Sequence, residues 1–202
     1  NSIPSNVNIL LINGFQDSLS MEEEINLREY VASGGNIFIA QNRLNVDIQT
    51  QQATAIQSNI FNILDSYGLS IKENLVLDKQ CGQVNVQQQM GIFRMAVPMD
   101  YPFLPIIKKF NKTDAIVQGL ESMSLIFTSE IQSDSVYSKN LKEFIPLLYT
   151  SNSSASMTSF YNLNPDPKAN PSFNQLNESS KVIGARVVVT EQNSSDESNI
   201  TL

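Results

Sequence analysis

The first apolar run, VNILLI from Val7, is almost unbroken and stops at Asn13-Gly14. A half-buried strand would alternate, so a continuous run of this length predicts a strand covered on both faces. Ser20-Met21-Glu22-Glu23 follows, a capping-box pattern with acidic residues in the first turn, where the helix dipole favours them. Ile25, Leu27, Tyr30 and Val31 give that helix an apolar stripe, and Gly34-Gly35 ends it. NIFIA from Asn36 is a second buried strand, completing a βαβ unit with the expected right-handed crossover.

The pattern then repeats. A second helix fits Ala55 to Tyr67, with Ile56, Ile60, Ile63, Leu64 and Tyr67 on one face and Gly68 at its end, and NLVLD from Asn74 is a third strand. SLIFTS from Ser124, FIPLLYTS from Phe144 and KVIGARVVV from Lys181 read as further buried strands. Successive βα units predict an α/β fold with an open, mostly parallel sheet. NILLI, NIFIA, NLVLD and SLIFT would form that sheet, flanked by helices in a flavodoxin-like or amidotransferase-like three-layer arrangement.

Between about residues 80 and 100 the alternation weakens into shorter β segments, consistent with a small β-rich appendage, as a hairpin or an insertion beside the sheet. VPMDYPFLP from Val97 is expected to be an ordered loop, because Pro98, Pro102 and Pro105 lack amide donors and restrict their neighbours. Its aromatic side chains, with Tyr101 and Phe103 foremost, suit either packing across the domain's own sheet edge or a partner-binding surface. Asn152 to Ser180 is rich in Asn, Ser and Pro and predicts a long surface loop. One domain over residues 1–190 is expected, with 191–202 a disordered or truncated tail.

Composition removes several chemistries. The chain has no histidine, which excludes a Ser-His-Asp triad, a Cys-His pair and histidine-based metal sites. Its single cysteine, Cys81, excludes an internal disulfide and any multi-thiolate metal site. No catalytic residue, metal site or cofactor is expected. Cys81 in DKQCGQV could stand at a strand-helix elbow as the nucleophile of a degenerate amidotransferase-like enzyme, but no imidazole is present to activate it. Asp78 and Asp100 could form an acid-base pair, although isolated acids at strand ends are usually hydrogen-bond anchors.

The net charge of −7 disfavours nucleic acid as a partner. In open α/β sheets ligands lie beyond the carboxyl ends of the strands, which nominates Asn13, Gln41, Asn42, Arg43 and Ser129 as a polar cleft for a sugar or peptide. Five Asn-x-Ser/Thr triplets arise readily in a chain so rich in Asn and Ser. The chain starts at Asn1 and its apolar runs fall well short of the ~20 residues of a membrane-spanning helix. It reads as a piece of a longer polypeptide, with any membrane anchor elsewhere.

Four blocks stand in a family order: LREYVASGGNIFIAQNRLN from Leu27, YGLSIKENLVLDKQCG from Tyr67, VPMDYPFLPIIKKFN from Val97 and DAIVQGLESMSLIFTSEI from Asp114. In this order they resemble GldG-like proteins, the auxiliary "substrate-binding" components of gliding-motility ABC transporters, related to GIFT (intraflagellar-transport-like) domains. The resemblance runs from about Val7 to Val189. It implies an extracytoplasmic, periplasmic-type domain of a membrane-anchored protein that partners an ABC permease and its ATPase without itself catalysing a reaction. The chain lacks a Walker A motif, so it is not the ATPase. A carbohydrate-binding module using the polar strand-end cleft is the alternative from a different class.

Overall fold

A computed structural model describes residues 2–133, 141–191 and 198–201. The N-terminal unit runs β1 (Ile9–Asn13), α1 (Met21–Ala32), β2 (Asn36–Ala40), β3 (Leu44–Asp47), β4 (Gln52–Ala55), α2 (Ile60–Ser66) and β5 (Leu69–Ile71). There follow β6 (Leu75–Asp78), β7 (Cys81–Met90), β8 (Phe93–Ile107), β9 (Lys109–Phe110), β10 (Met123–Ser124) and β11 (Ile131–Ser133). The chain closes through β12 (Leu141–Tyr149), β13 (Ser154–Met157), β14 (Val182–Glu191) and β15 (Ser198–Thr201).

The β1, α1 and β2 elements form where the sequence predicts, but the two strands, expected to be covered on both faces, alternate exposed and more buried positions. The Ser20 hydroxyl accepts from the Glu23 amide at 3.3 Å, and the Glu23 carboxylate accepts from the Ser20 amide at 2.8 Å. These two bonds satisfy donors that the first turn leaves open. Gly34 ends α1 with φ +88°. At Gly35 an added Cβ would stand 2.4 Å from the Tyr30 ring, so this close approach requires glycine. β1 and β2 pair in parallel with Leu10 opposite Ile37 and Ile12 opposite Ile39.

Beyond this unit the expected parallel sheet is not found. β1 with β2 is the one parallel pair among the described strands, and the remaining pairs are antiparallel in several small sheets. NLVLD forms β6 but pairs antiparallel with β13, Val76 opposite Ser156. All four β6 residues are buried, which explains the misreading: an unbroken apolar run reports burial on both faces and carries no information on strand direction. Residues 52–55 pair with β3 as a strand, so the second helix starts at Ile60, where Ala55 was expected.

SLIFT also departs from expectation. Only Met123 and Ser124 join the ladder, opposite Ile107 and Ile106. The rest of the segment still runs between β8 and β6, for the Phe127 amide donates to the Phe103 carbonyl and the Val76 amide to the Thr128 carbonyl. Phe127 has φ +51°, a left-handed conformation that interrupts a regular strand.

The proline-rich segment expected to be a loop is strand β8. Pro102 falls in the irregular stretch between the Asp100–Gln83 and Pro105–Cys81 pairs, where a missing donor is tolerated. Pro98 lies in the outer part of β8, whose described ladder partner is β7. FIPLLY and KVIGARVVV do form strands, β12 and β14, paired antiparallel. Of the expected tail, Ser198–Thr201 pairs with β14 as β15; residues 192–197 and 202 lie outside the described residues.

Of the four apolar clusters among the described residues, the two largest hold most of the interior. In the first, Leu10, Ile12, Ile37 and Ile39 of the β1–β2 pair meet Leu27, Tyr30 and Val31 of α1 and Ile60, Phe61 and Ile63 of α2. In the second, Tyr101, Phe103 and Phe127 pack with Leu75, Leu77 and Met157.

Candidate functional site

Side chains alternate across a strand, so placing Leu10, Ile12, Ile37 and Ile39 against the helices turns Ile9, Leu11 and Phe38 to the other face. There Leu11 lies directly opposite Phe38. Leu11 is 66% exposed and Phe38 55%, with Ile9 exposed beside them. Parallel strands are normally covered on both faces, which makes this an uncovered apolar surface on a hydrogen-bonded strand pair. No sequence signal marks it, because ILLI and IFI are apolar at inward and outward positions alike.

A groove of about 360 Å³ runs along α1 beside this pair, lined by Leu10, Leu11, Phe15, Leu19 and Leu27 with Asn13 and Glu23 at its polar margin. A second, of about 460 Å³, opens at the start of the strands between Val7, Asn8, Tyr30 and Asn36. Its floor is held by the Tyr30 hydroxyl, which reaches the carbonyls of Val7 and Asn36 at 3.3 and 3.1 Å.

Of the polar residues expected to form a strand-end cleft, Asn13 ends β1 and Gln41, Asn42 and Arg43 follow β2, while Ser129 is bonded to Asn74, and the side chains of Gln41, Arg43 and Ser129 are engaged within the fold. The Gln41 amide clamps Phe15 from both sides, accepting from its N–H at 2.7 Å and donating to its carbonyl at 2.8 Å. Gln41 also donates to the Asn42 carbonyl at 2.9 Å, while the Asn42 side chain is exposed. Arg43 donates to the Ile56 carbonyl at 3.1 Å, lies 3.9 Å from the Phe61 ring centroid and approaches Glu73 at 3.8 Å. The next residue, Asn74, accepts from the buried Ser129 hydroxyl at 2.8 Å. Asn13 is exposed at the end of β1, lining the apolar groove.

Tyr101 and Phe103 point inward. Phe103 has no exposed surface and Tyr101 3%. Their rings meet edge to face at 5.2 Å, and the Tyr101 hydroxyl donates to the Leu163 carbonyl at 2.8 Å. Burial pushes the Tyr101 phenol up to about 12.

Cys81 is half-buried at the start of β7. Burial, and then the charge of Asp100 with that of Asp78, pushes its thiol up to about 11, against an opposing hydrogen bond with the Tyr101 backbone. Thiolate is therefore scarce at neutral pH. The two carboxylates weighed as an acid-base pair have other partners. Asp78 is fully buried and accepts from the Ser151 amide at 2.6 Å, the Ser151 hydroxyl at 2.5 Å and the Gln80 amide at 2.8 Å. Asp100, on the exposed side of β8, accepts from the Gln83 side-chain Nε2 at 2.8 Å. Among the described residues no three Cys, Asp or Glu side chains group to hold a metal.

What the geometry offers here is an exposed apolar face on β1–β2 with two grooves beside it. A family model described as "ABC-type uncharacterized transport system" matches residues 1–196. The chain belongs to this ABC transport auxiliary family. It is also 23% identical over 160 residues to an "Uncharacterized protein" of Borreliella burgdorferi, a match that covers 75% of this chain and 29% of the relative. The chain thus spans less than a third of that curated relative. A solved structure named "mmIFT52 N-terminal domain" is similar with 13% identity and a TM-score of 0.49, over 98% of this chain and 65% of that one. Among the chain's described residues no helix is long and apolar enough to cross a membrane.

Proposed function

We propose that this ABC transport auxiliary chain is a non-catalytic, extracytoplasmic docking domain, and that the outer face of β1–β2 is where it meets the transporter's permease. The observation that carries this reading is the exposed Ile9, Leu11 and Phe38 surface on a parallel strand pair. An exposed apolar patch of this kind suits the core of a protein interface, where aromatic side chains are enriched. The resemblance of the four ordered blocks to GldG-like proteins supports a system tied to gliding motility or export, with the permease and its ATPase as partners.

The test is co-purification of the permease with the intact protein from detergent-solubilised membranes. Replacing Leu11 and Phe38 together by Thr keeps a β-favouring residue at each position while removing the apolar surface. Loss of the permease with an unchanged melting temperature supports the reading. Retention of the permease at the parental level overturns it.

A further inference from the structure

The β7–β8 hairpin carries a second exposed apolar feature. Its register places Val84 opposite Met99, Val86 opposite Val97, Gln88 opposite Met95 and position 90 opposite Phe93. Directly opposed residues share a face, so one side of the ribbon is an almost continuous apolar stripe. The other side carries Asn85, Gln87, Gln89 and Arg94. Val84 roots the stripe in the aromatic core.

Toward the turn the ribbon stands free. Residues 87–89 and 91–96 are exposed on both faces, a free length of roughly 14 Å for four residue pairs at the usual strand rise. The turn itself is tight: Gly91 has φ +64° and Ile92 is not among the residues with positive φ, the pattern of a type II′ hairpin turn. Ile92 is 91% exposed at the very tip, with Phe93 and Met95 exposed behind it.

Charge separates this arm from the rest of the molecule. Between Asp78 and Asp100 there is no acidic residue, while Lys79 and Arg94 are both present, in a chain whose net charge is −7. The tip offers an apolar point flanked by a cation, which complements an anionic lipid surface. The body is acidic, but the arm is longer than the ~8 Å Debye length at physiological salt, so the repulsion of the body from such a surface is largely screened. A second copy of the chain fits less well. Three side chains expose on the order of a few hundred Å², below the ~800 Å² per partner of a stable interface.

We propose that the hairpin tip, residues 91–95, is a lipid-interface anchor in which Ile92 and Phe93 enter the headgroup boundary and Arg94 meets lipid phosphates. This inference is independent of the permease contact proposed above.

The chain has no tryptophan, so Phe93→Trp installs a single fluorescent reporter. Its emission is expected to shift to the blue on addition of vesicles of phosphatidylcholine mixed with phosphatidylglycerol, while Phe160→Trp, at another exposed position, does not shift. In co-sedimentation, Ile92→Ser with Phe93→Ser is expected to weaken binding to these vesicles at least ~10-fold. Arg94→Gln is expected to weaken it by about five-fold, an effect absent on phosphatidylcholine alone. Three results overturn the proposal: no binding of the parent chain to the mixed vesicles, equal binding by the double variant, or a dimer in sedimentation velocity that the double variant abolishes. The last would make the tip a self-association surface.

Discussion

The aromatic core around β8 and the outer face of β1–β2 are built from the same kinds of residue and come to opposite ends. Tyr101, Phe103 and Phe127 are enclosed by their own chain, while Ile9, Leu11 and Phe38 face outward. What separates them is the number of elements stacked on each. β8 lies between β7 and the 123–127 segment and is closed over by Met157 and Leu163, whereas both helices of the N-terminal unit pack with the single face that carries Leu10 and Ile37. Apolar composition therefore predicts that a surface will be covered, and topology decides by what.

The sharpest way to break the comparison is Phe103→Ala. Truncating a fully buried phenylalanine removes its contacts and leaves a cavity, so the expected loss is about 3–5 kcal/mol of unfolding free energy in denaturant titration. A loss below ~1 kcal/mol would show that the aromatic cluster is not the enclosed core described above.

An intermediate effect is expected at Asp114, which is buried and accepts two hydrogen bonds from Arg186, at 2.7 and 3.1 Å. This guanidinium, with the Ile116 amide, holds the Asp114 carboxyl below its ordinary value. Because the folded value is depressed, the stability it contributes is present above the unfolded pKa of about 4 and lost as pH falls through the lower folded value. Asp114→Asn is expected to cost about 1–2 kcal/mol at pH 7 and to flatten the fall of melting temperature below about pH 4. An unchanged acid profile would remove Asp114 from the list of groups that set it.

The smallest effect is expected on the open face. Leu11→Thr with Phe38→Thr should change the stability of the isolated chain by less than about 1 kcal/mol, since neither side chain has much contact to lose. A loss comparable with Phe103→Ala would mean that this face is covered within the chain.

The positions of β1, α1 and β2 were legible because their signals are local. The Ser20–Glu23 capping box, the Gly34-Gly35 stop and the two short apolar runs are each specified within a few residues, and all formed where expected. Past β2 the decisive contacts are remote in sequence. Antiparallel pairing of β6 with β13 joins residues more than seventy positions apart, and nothing in LVLD distinguishes that neighbour from a parallel one. The prolines of β8 misled for a related reason: a missing donor forbids a regular ladder position but not an irregular one, and irregularities are set by the partner strand. Among the candidate site residues, Gln41 and Arg43 follow β2, but the hydrogen bonds to Phe15 and Ile56 and the ring contact with Phe61 join positions remote in sequence and carry no local signal. The open apolar face and the hairpin stripe both depend on which side of a strand pair is covered, a property of tertiary packing.

The central claim, that the uncovered face of β1–β2 is an interface within the transport complex, is tested most directly by a photo-crosslinking side chain placed at Phe38 of the intact protein in its native membrane. Irradiation is expected to join it to the permease, while the same group at the exposed Lys112 gives no such product. Equal yields at the two positions, or no permease adduct at Phe38, would contradict it.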